Sequence, residues 1–381
     1  MSPAKLRFLP QVEVAIRSSL GWRTALMAYN LPFMTVSVRS FAKINLGLYI
    51  GPPLADGFHE LRTVYQTIAL HDVIRVSVGR GSGVEIVCSD SRVPCDSSNT
   101  CWRIAELVMA ELGASRRVGI EIEKRLPVQG GMGAASSNAV ATMIGLERAL
   151  RKSLTGEARL RIAAAVGSDL PLFVLGGTVM GVGRGEEVYP LADFAATPLV
   201  VVTPEVGVST PRAFADWDAF ADENLQPRGA RGFTGTQGPS TLNHELTQST
   251  PSDRLLTVGR VLSSWLSRLT SDSANTGAPA KSGSRAGSLL LDLVRTGIEN
   301  DFEKVVFPKY PELRDIKRAL ESAGARYASL SGSGSTLYGL FRSRAEAARA
   351  AERLKKQGLT AIATSTLTRR QYWKKLLVSG C

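Results

Sequence analysis

The stretch LPVQGGMGAASSNA abandons side chains at Gly130, Gly131, Gly133, Ala134, Ala135, Ser136 and Ser137, then turns apolar at helical spacing through Val140, Ala141, Met143 and Ile144. A helix start carries unpaired backbone N–H groups and partial positive charge, and small residues let an anion come close, so this pattern points to phosphate. Tight helix packing would explain the same composition without a ligand. A second small-residue loop, LSGSGST at 330–336, strengthens the phosphate reading, because two such loops could approach one polyphosphate from opposite sides. Phosphoryl transfer also needs a cation to neutralise charge and a group to take or position the proton of the attacking hydroxyl. Lys43, inside the apolar run SFAKINLGLYI, and Asp169, in GSDLP, are candidates. Each has a plainer reading: a strand lysine with a solvent-facing stem, and a helix cap or Asx turn.

Known templates exclude some chemistry. The 130–137 loop fits neither G-x-x-x-x-G-K-[ST] nor G-x-G-x-x-G, and the chain has no H-R-D or D-F-G element, so a P-loop enzyme and a protein kinase are both ruled out. Lys and Arg outnumber Asp and Glu by 46 to 34, a net charge of +12 that attracts polyanions from a distance. The charge is scattered, without basic runs or aromatic interleaving, so nucleic acid is not expected as the main partner. No apolar stretch is long enough to span a bilayer, so no membrane association is expected. Cys88, Cys95, Cys101 and Cys381 fit no zinc or redox spacing, which suits a reducing cytoplasm.

The length of 381 residues favours about two domains. Residues 1–34 carry four basic residues against Glu13. Three readings stay open for them: a true start at Met34, a short helical extension, or a targeting segment. Alternation predicts one or two strands over 35–50, and further strands at DVIRVSV, GVEIVC and VGIEIEKRL. SSNTCWRIAELVMAELG reads as a helix capped by Ser97 or Ser98 and stopped at Gly113. A helix then leads to a sharp turn over 167–171, a hairpin turns at 183–186, and the strand in PLVVVTPEVGVST closes this half. Residues 225–287 have linker composition around one amphipathic helix bearing Leu255, Val258, Leu262, Trp265 and Leu269. The last segment reads as the helices LLLDLVRTGIENDFE and PELRDIKRALESAG, the strands YASLSG and TLYGLF, a helix with a Ser343–Glu346 capping box, and the strand TAIATST. Strands and helices without regular alternation argue for an α+β fold.

The segments SFAKINLGLYI, LPVQGGMGAASSNA and LSGSGSTLYGLF, in this order, resemble the three signature motifs of the GHMP small-molecule kinases. With DGFHELRTVYQTI and GSDLPLFV, the likeness extends to the branch of that family acting on 4-diphosphocytidyl-2-C-methyl-D-erythritol. The resemblance implies a two-domain α+β fold, with an N-terminal domain like the second domain of ribosomal protein S5, a ferredoxin-like C-terminal domain, and the active site between them. It divides the chain into an extension 1–34, an ATP-binding domain 35–200, a second domain from 201–224 and 288–370, the insertion 225–287 and a tail 371–381.

The same resemblance implies ATP with Mg2+, a small-molecule substrate phosphorylated on its 2-hydroxyl, and a monomer or weak homodimer. It casts Asp169 as general base and Lys43 as its catalytic partner. It assigns ATP to Pro127, Val128, Gln129, Gly130, Gly131, Met132, Gly133, Ala134, Ala135, Ser136 and Ser137, with Asn99 near the adenine and Ser137 as a metal contact. Phe58 and His59 would meet the cytosine, Phe214 would be a second stacking ring, and Asn45, Gly332, Ser333 and Gly334 would flank the substrate. Rival readings are a GHMP kinase for homoserine, mevalonate or a sugar, and a non-catalytic polyphosphate or nucleic-acid binder.

Overall fold

The alternation at 35–50 resolves into one long strand, β1 (Met34–Pro53), antiparallel to β2 (His59–Gly79). The computed structural model describes residues 34–128, 130–224 and 298–378, so the readings on 1–33, Gln129, the Trp265 helix and Cys381 fall outside it. The β1–β2 register shifts between Phe41 and Lys43 and again between Asn45 and Gly47. Such irregularities re-aim side chains, and here they bracket Lys43 and Asn45, which share one face of the strand. On the other face Ala42, Ile44 and Leu46 are fully buried.

Around this pair β3 (Val84–Cys88), β4 (Arg117–Glu123), β5 (Thr178–Val182) and β6 (Glu187–Pro190) complete a six-stranded sheet of order β3-β4-β2-β5-β6, with β1 on β2. Its core is filled by α1 (Thr100–Glu111), α2 (Ala134–Leu150), α3 (Gly156–Val166) and α4 (Leu170–Leu175). The expected hairpin is β5–β6. The turn expected at 167–171 is short, because helix α4 already begins at Leu170. Asn99, rather than Ser97 or Ser98, caps α1: its side chain accepts from Cys101 N. Gly113, with φ 56°, follows that helix as expected.

A second, antiparallel sheet has the order β10-β7-β9-β8, from β7 (Pro198–Val202), β8 (Tyr327–Leu330), β9 (Leu337–Leu340) and β10 (Ala361–Ser365). The strand expected to close the first half therefore belongs to the second sheet, and a boundary after residue 200 falls inside it. α5 (Thr210–Asn224), α6 (Glu303–Lys309), α7 (Pro311–Ser322) and α8 (Arg344–Lys356) build the second core. The helix expected over 289–303 does not include 298–302: Asn300 bridges to Leu48, and the helix starts at Glu303. The Ser343 hydroxyl accepts from Glu346 N at 3.2 Å, but the Glu346 carboxylate accepts from Arg342 N, so only half of the expected capping box forms.

An apolar layer of Ile44, Leu46 and Val64 from the first sheet and Leu199, Val201 and Tyr338 from the second joins the two sheets. The final helix α9 (Arg369–Leu376) returns to the first core. Most of the expected tail is thus structured, with Tyr372 donating to Phe173 O at 2.7 Å.

Candidate active site

The glycine loop sits where β1, α2 and the second sheet meet. Gly133, at φ 67°, precedes α2 without a side-chain cap, and the first turn of that helix has no acidic residue. Its N–H groups are therefore those of an uncapped helix start, the anion-favouring arrangement. A Cβ on Gly133 would stand 3.0 Å from the Phe173 ring and 3.2 Å from Lys43 Cγ. On Gly131, at φ 72°, it would collide with the Ser331 carbonyl. Glycine is required at both positions by space as well as by backbone angle.

The second loop does not face the first across a gap: it is bonded to it. Ser331 Oγ donates to Gly131 O at 3.1 Å, and Thr336 N donates to Gly130 O at 3.3 Å. Buried Asn300 fixes it from behind, its Nδ2 donating to Leu330 O and Gly332 O at 2.9 and 2.8 Å. The first loop has its own staple. The fully buried Asp72 carboxylate accepts from Arg125 N and Leu126 N, both at 2.7 Å, and from Asn138 Nδ2 at 3.1 Å, so it holds the chain on both sides of the glycines. Lys124 Nζ, at 2.6 Å, compensates its charge.

Two cavities open from these loops. One, of about 340 Å³, lies between the glycine loop and the start of α1; the other, of about 660 Å³, lies between the sheets, and Gly131, Gly133 and Ser136 border both. Lys43 and Asp169, 126 residues apart in sequence, line the larger cavity beside that junction, with Lys43 Nζ 3.4 Å from Asp169 Oδ2. Lys43 is only 4% exposed and donates to Asn45 Oδ1 at 2.7 Å, so its reading as a solvent-facing strand lysine is overturned. Asn45 donates onward to Thr63 Oγ1 at 2.7 Å, which fixes the amide so that its oxygen faces the ammonium. The Asp169 side chain makes no cap bond to α4; its Oδ1 instead accepts from Tyr65 OH at 3.0 Å.

Farther into the larger cavity, His59 stacks on Phe214 with centroids 5.0 Å apart, and its Nε2 lies 2.6 Å from Asp218 Oδ1. Phe58 is 53% exposed, and the Arg184 guanidinium lies 5.2 Å over its ring. Gly332 and Ser333 also line this cavity, with the Ser333 hydroxyl 2.8 Å from that of Thr210. Gly334 does not reach it; the residue packs against Leu330.

In the smaller cavity both polar ends of Asn99 are committed, Oδ1 to Cys101 N and Nδ2 to Pro94 O. Its plainer reading as a cap is therefore what the structure displays, although the residue does line the cavity. Ser137, expected as a metal contact, is 2% exposed and accepts the Ser40 hydroxyl at 2.8 Å. The hydroxyl at this helix start that faces both cavities belongs to Ser136.

Sequence reasoning missed Tyr65, Asp72, Arg184 and Asp218. Tyr65 could have been found from the alternation Thr63, Tyr65, Thr67 within DGFHELRTVYQTI, a segment to which no element was assigned. Asp72 had no local signal, because an aspartate opening a strand is ordinarily a surface residue.

Comparison with known proteins agrees with this architecture. Residues 99–177 match the GHMP kinases N terminal domain, and residues 282–359 match GHMP kinases C terminal. A 4-diphosphocytidyl-2-C-methyl-D-erythritol kinase of Solibacter usitatus (strain Ellin6076) is 35% identical over 343 residues, covering 89% of this chain and 92% of the relative. That of Geobacter sulfurreducens (strain ATCC 51573 / DSM 12127 / PCA) is 30% identical, covering 87% and 99%. A crystal structure of 4-(cytidine 5'-diphospho)-2C-methyl-D-erythritol kinase superposes with a TM-score of 0.59 at 26% identity, covering 87% of this chain and 98% of that one. The fold extends further, since the mevalonate kinase of L. major matches with a TM-score of 0.58 at 18% identity, over 88% and 97%. Identity at this level along nearly the whole of both relatives, on a fold shared with more distant kinases, means that the chain belongs to the 4-diphosphocytidyl-2-C-methyl-D-erythritol kinase family of GHMP kinases.

Proposed function

We propose that this chain transfers the γ-phosphoryl group of ATP to the 2-hydroxyl of 4-diphosphocytidyl-2-C-methyl-D-erythritol, giving the 2-phosphate and ADP in the non-mevalonate route to isoprenoid precursors. The observation that carries the reading is the meeting of two cavities at Gly131, Gly133 and Ser136, with Lys43 and Asp169 beside that point. Nucleotide in the smaller cavity would present its terminal phosphate there, at the uncapped start of α2, and an alcohol in the larger cavity would meet it in line.

Asp169 takes the alcohol proton. The substrate O–H bond breaks and its proton passes to the carboxylate, the oxygen bonds to the γ-phosphorus, and the bond from that phosphorus to the β–γ bridging oxygen breaks to release ADP. Lys43 offsets charge on the attacking oxygen and the transferred group. Mg2+, when bound with ATP, neutralises phosphate charge. Ser136 and Asp169, which line the larger cavity, would supply protein oxygens, a small donor set suited to an ion that keeps waters and phosphate oxygens.

Selectivity comes from the far end of the larger cavity. With Nε2 on Asp218, the other ring nitrogen of His59 is left for a polar group of the pyrimidine, and Phe58 and Phe214 supply stacking faces. Arg184, which lines the larger cavity and is oriented by Glu186 and Asp56, supplies a cation for the substrate's diphosphate. Homoserine and mevalonate have no use for these groups. Both substrates of this reaction are cytoplasmic metabolites by class, a nucleoside triphosphate and a cytidine diphosphate derivative, and the cytoplasm is its working compartment.

A coupled ADP-release assay across the cytidyl substrate, mevalonate and homoserine tests the assignment. Turnover confined to the cytidyl substrate is expected, and equal or greater turnover of either small acid would overturn it.

A further inference from the structure

Asp169 stands just ahead of α4 and is 34% exposed, yet its carboxylate makes no cap bond that would fix its rotation. Two groups hold it, and unequally. Lys43 Nζ is 3.4 Å from Oδ2 and makes its short bond, 2.7 Å, to Asn45 instead. Tyr65 OH donates to Oδ1 at 3.0 Å. The phenol is itself immobilised. Tyr65 lies in the middle of β2, opposite Asn45 of β1 and Val179 of β5, and is 2% exposed. The β5–β6 hairpin is cut away around its ring: a Cβ on Gly181 would stand 2.5 Å from Tyr65 Cε2, and one on Gly185 2.6 Å from the phenolic oxygen.

We propose that Tyr65 is a positioning residue of the phosphoryl transfer, whose phenol engages Oδ1 of Asp169 and so presents Oδ2 to the substrate alcohol. The inference rests on the reading of Asp169 as proton acceptor. It assigns the incoming proton to one oxygen, because Oδ1 already accepts the Tyr65 hydrogen bond, while Oδ2 stands 3.4 Å from the Lys43 ammonium. Burial first, then the charge and hydrogen bond of Asp169 and the charge of Glu186, push the Tyr65 phenol well above its ordinary range. The phenol therefore remains a donor at any pH at which the protein works. The charged groups around the pair are Lys43 from β1 and Glu186 and Arg184 from the hairpin turn.

Tyr65→Phe in the full chain keeps the ring and removes the tether. The expected result is a fall in kcat of roughly 10- to 100-fold, with the KM of ATP and of the cytidyl substrate within about two-fold. On an Asp169→Asn background the same change should cost nothing further, because a residue acting through Asp169 cannot act without it. Gly181→Ala, which displaces the ring and retains the hydroxyl, should lower kcat in the same direction.

An unchanged kcat in Tyr65→Phe, a loss confined to KM, or a full additional loss in the double variant would overturn the proposal while leaving the base assignment intact. Unchanged turnover in Asp169→Asn alone would remove the base assignment, and the Tyr65 proposal with it.

Discussion

The two cavities that meet at Ser136 are built from opposite materials. The smaller has the small residues of the glycine loop along one side, with Arg92 and Lys124 among the side chains that complete it, and its Asn99 is spent on capping α1 and on Pro94 O. The larger is walled by long side chains held in chains of contact: Lys43 to Asn45 to Thr63, Tyr65 to Asp169, His59 to Phe214 and Asp218. Main-chain N–H groups at a helix start recognise phosphate, which all nucleotides share, while side chains alone can distinguish one alcohol or base from another. On the proposed function, generic grip and specific choice are thereby divided between two walls of one cleft.

The largest expected effect falls at the boundary. Asp169→Asn should lower turnover by about 10³- to 10⁴-fold and leave ATP affinity nearly unchanged, since it removes a proton acceptor from outside the nucleotide wall. Steady-state kinetics beside nucleotide titration calorimetry check this, and a parallel loss of ATP affinity would dissolve the division.

Next comes the staple of the backbone wall. Asp72→Asn leaves Lys124, 7% exposed, without its counter-charge and weakens the bonds to Arg125 N, Leu126 N and Asn138. A stability loss of about 3–4 kcal/mol is expected from breaking such a buried pair, measured by denaturant unfolding. Gly131→Ala should follow, because its Cβ collides with the Ser331 carbonyl at a positive φ. It should raise the KM of ATP on the order of 100-fold by separating the two loops. An unchanged KM would show that the loop contact does not shape the nucleotide site.

The mildest effect belongs to the side-chain wall. Arg184→Ala should raise the KM of the cytidyl substrate about ten-fold and leave that of ATP alone, in keeping with one charge-assisted contact at a half-exposed site. A larger effect on ATP than on the cytidyl substrate would reverse the assignment of the two cavities.

These walls were not equally legible in the sequence. The glycine loop announced itself, because its composition and the helix after it occupy one continuous stretch, and Val140 and Met143 are buried as their spacing predicts. Lys43 stood out as a cation in an apolar run, yet whether it faced solvent or cleft depended on two register shifts against a strand twenty residues on. Asp72 gave no comparable sign, and the alternation around Tyr65 pointed to a strand without naming its partner. Their partners, Lys124 and Asp169, lie 52 and 104 residues away, and no local pattern encodes a contact over such a span.

The sequence alone determined the α+β class, the small-residue helix start of the 130s loop and the family to which the motifs point, because periodicity, small-residue composition and ordered motifs are properties of neighbouring residues. Tertiary structure alone decided that the strand at 198–202 joins the second sheet, that the two glycine loops bond to each other, that Ser136 faces the cleft while Ser137 is buried, and that Tyr65 tethers Asp169. The physical reason is that pairing register and the packing of one sheet on another fix which way each side chain points. A shift of one residue along a strand, or one step around a helix, exchanges core for cleft.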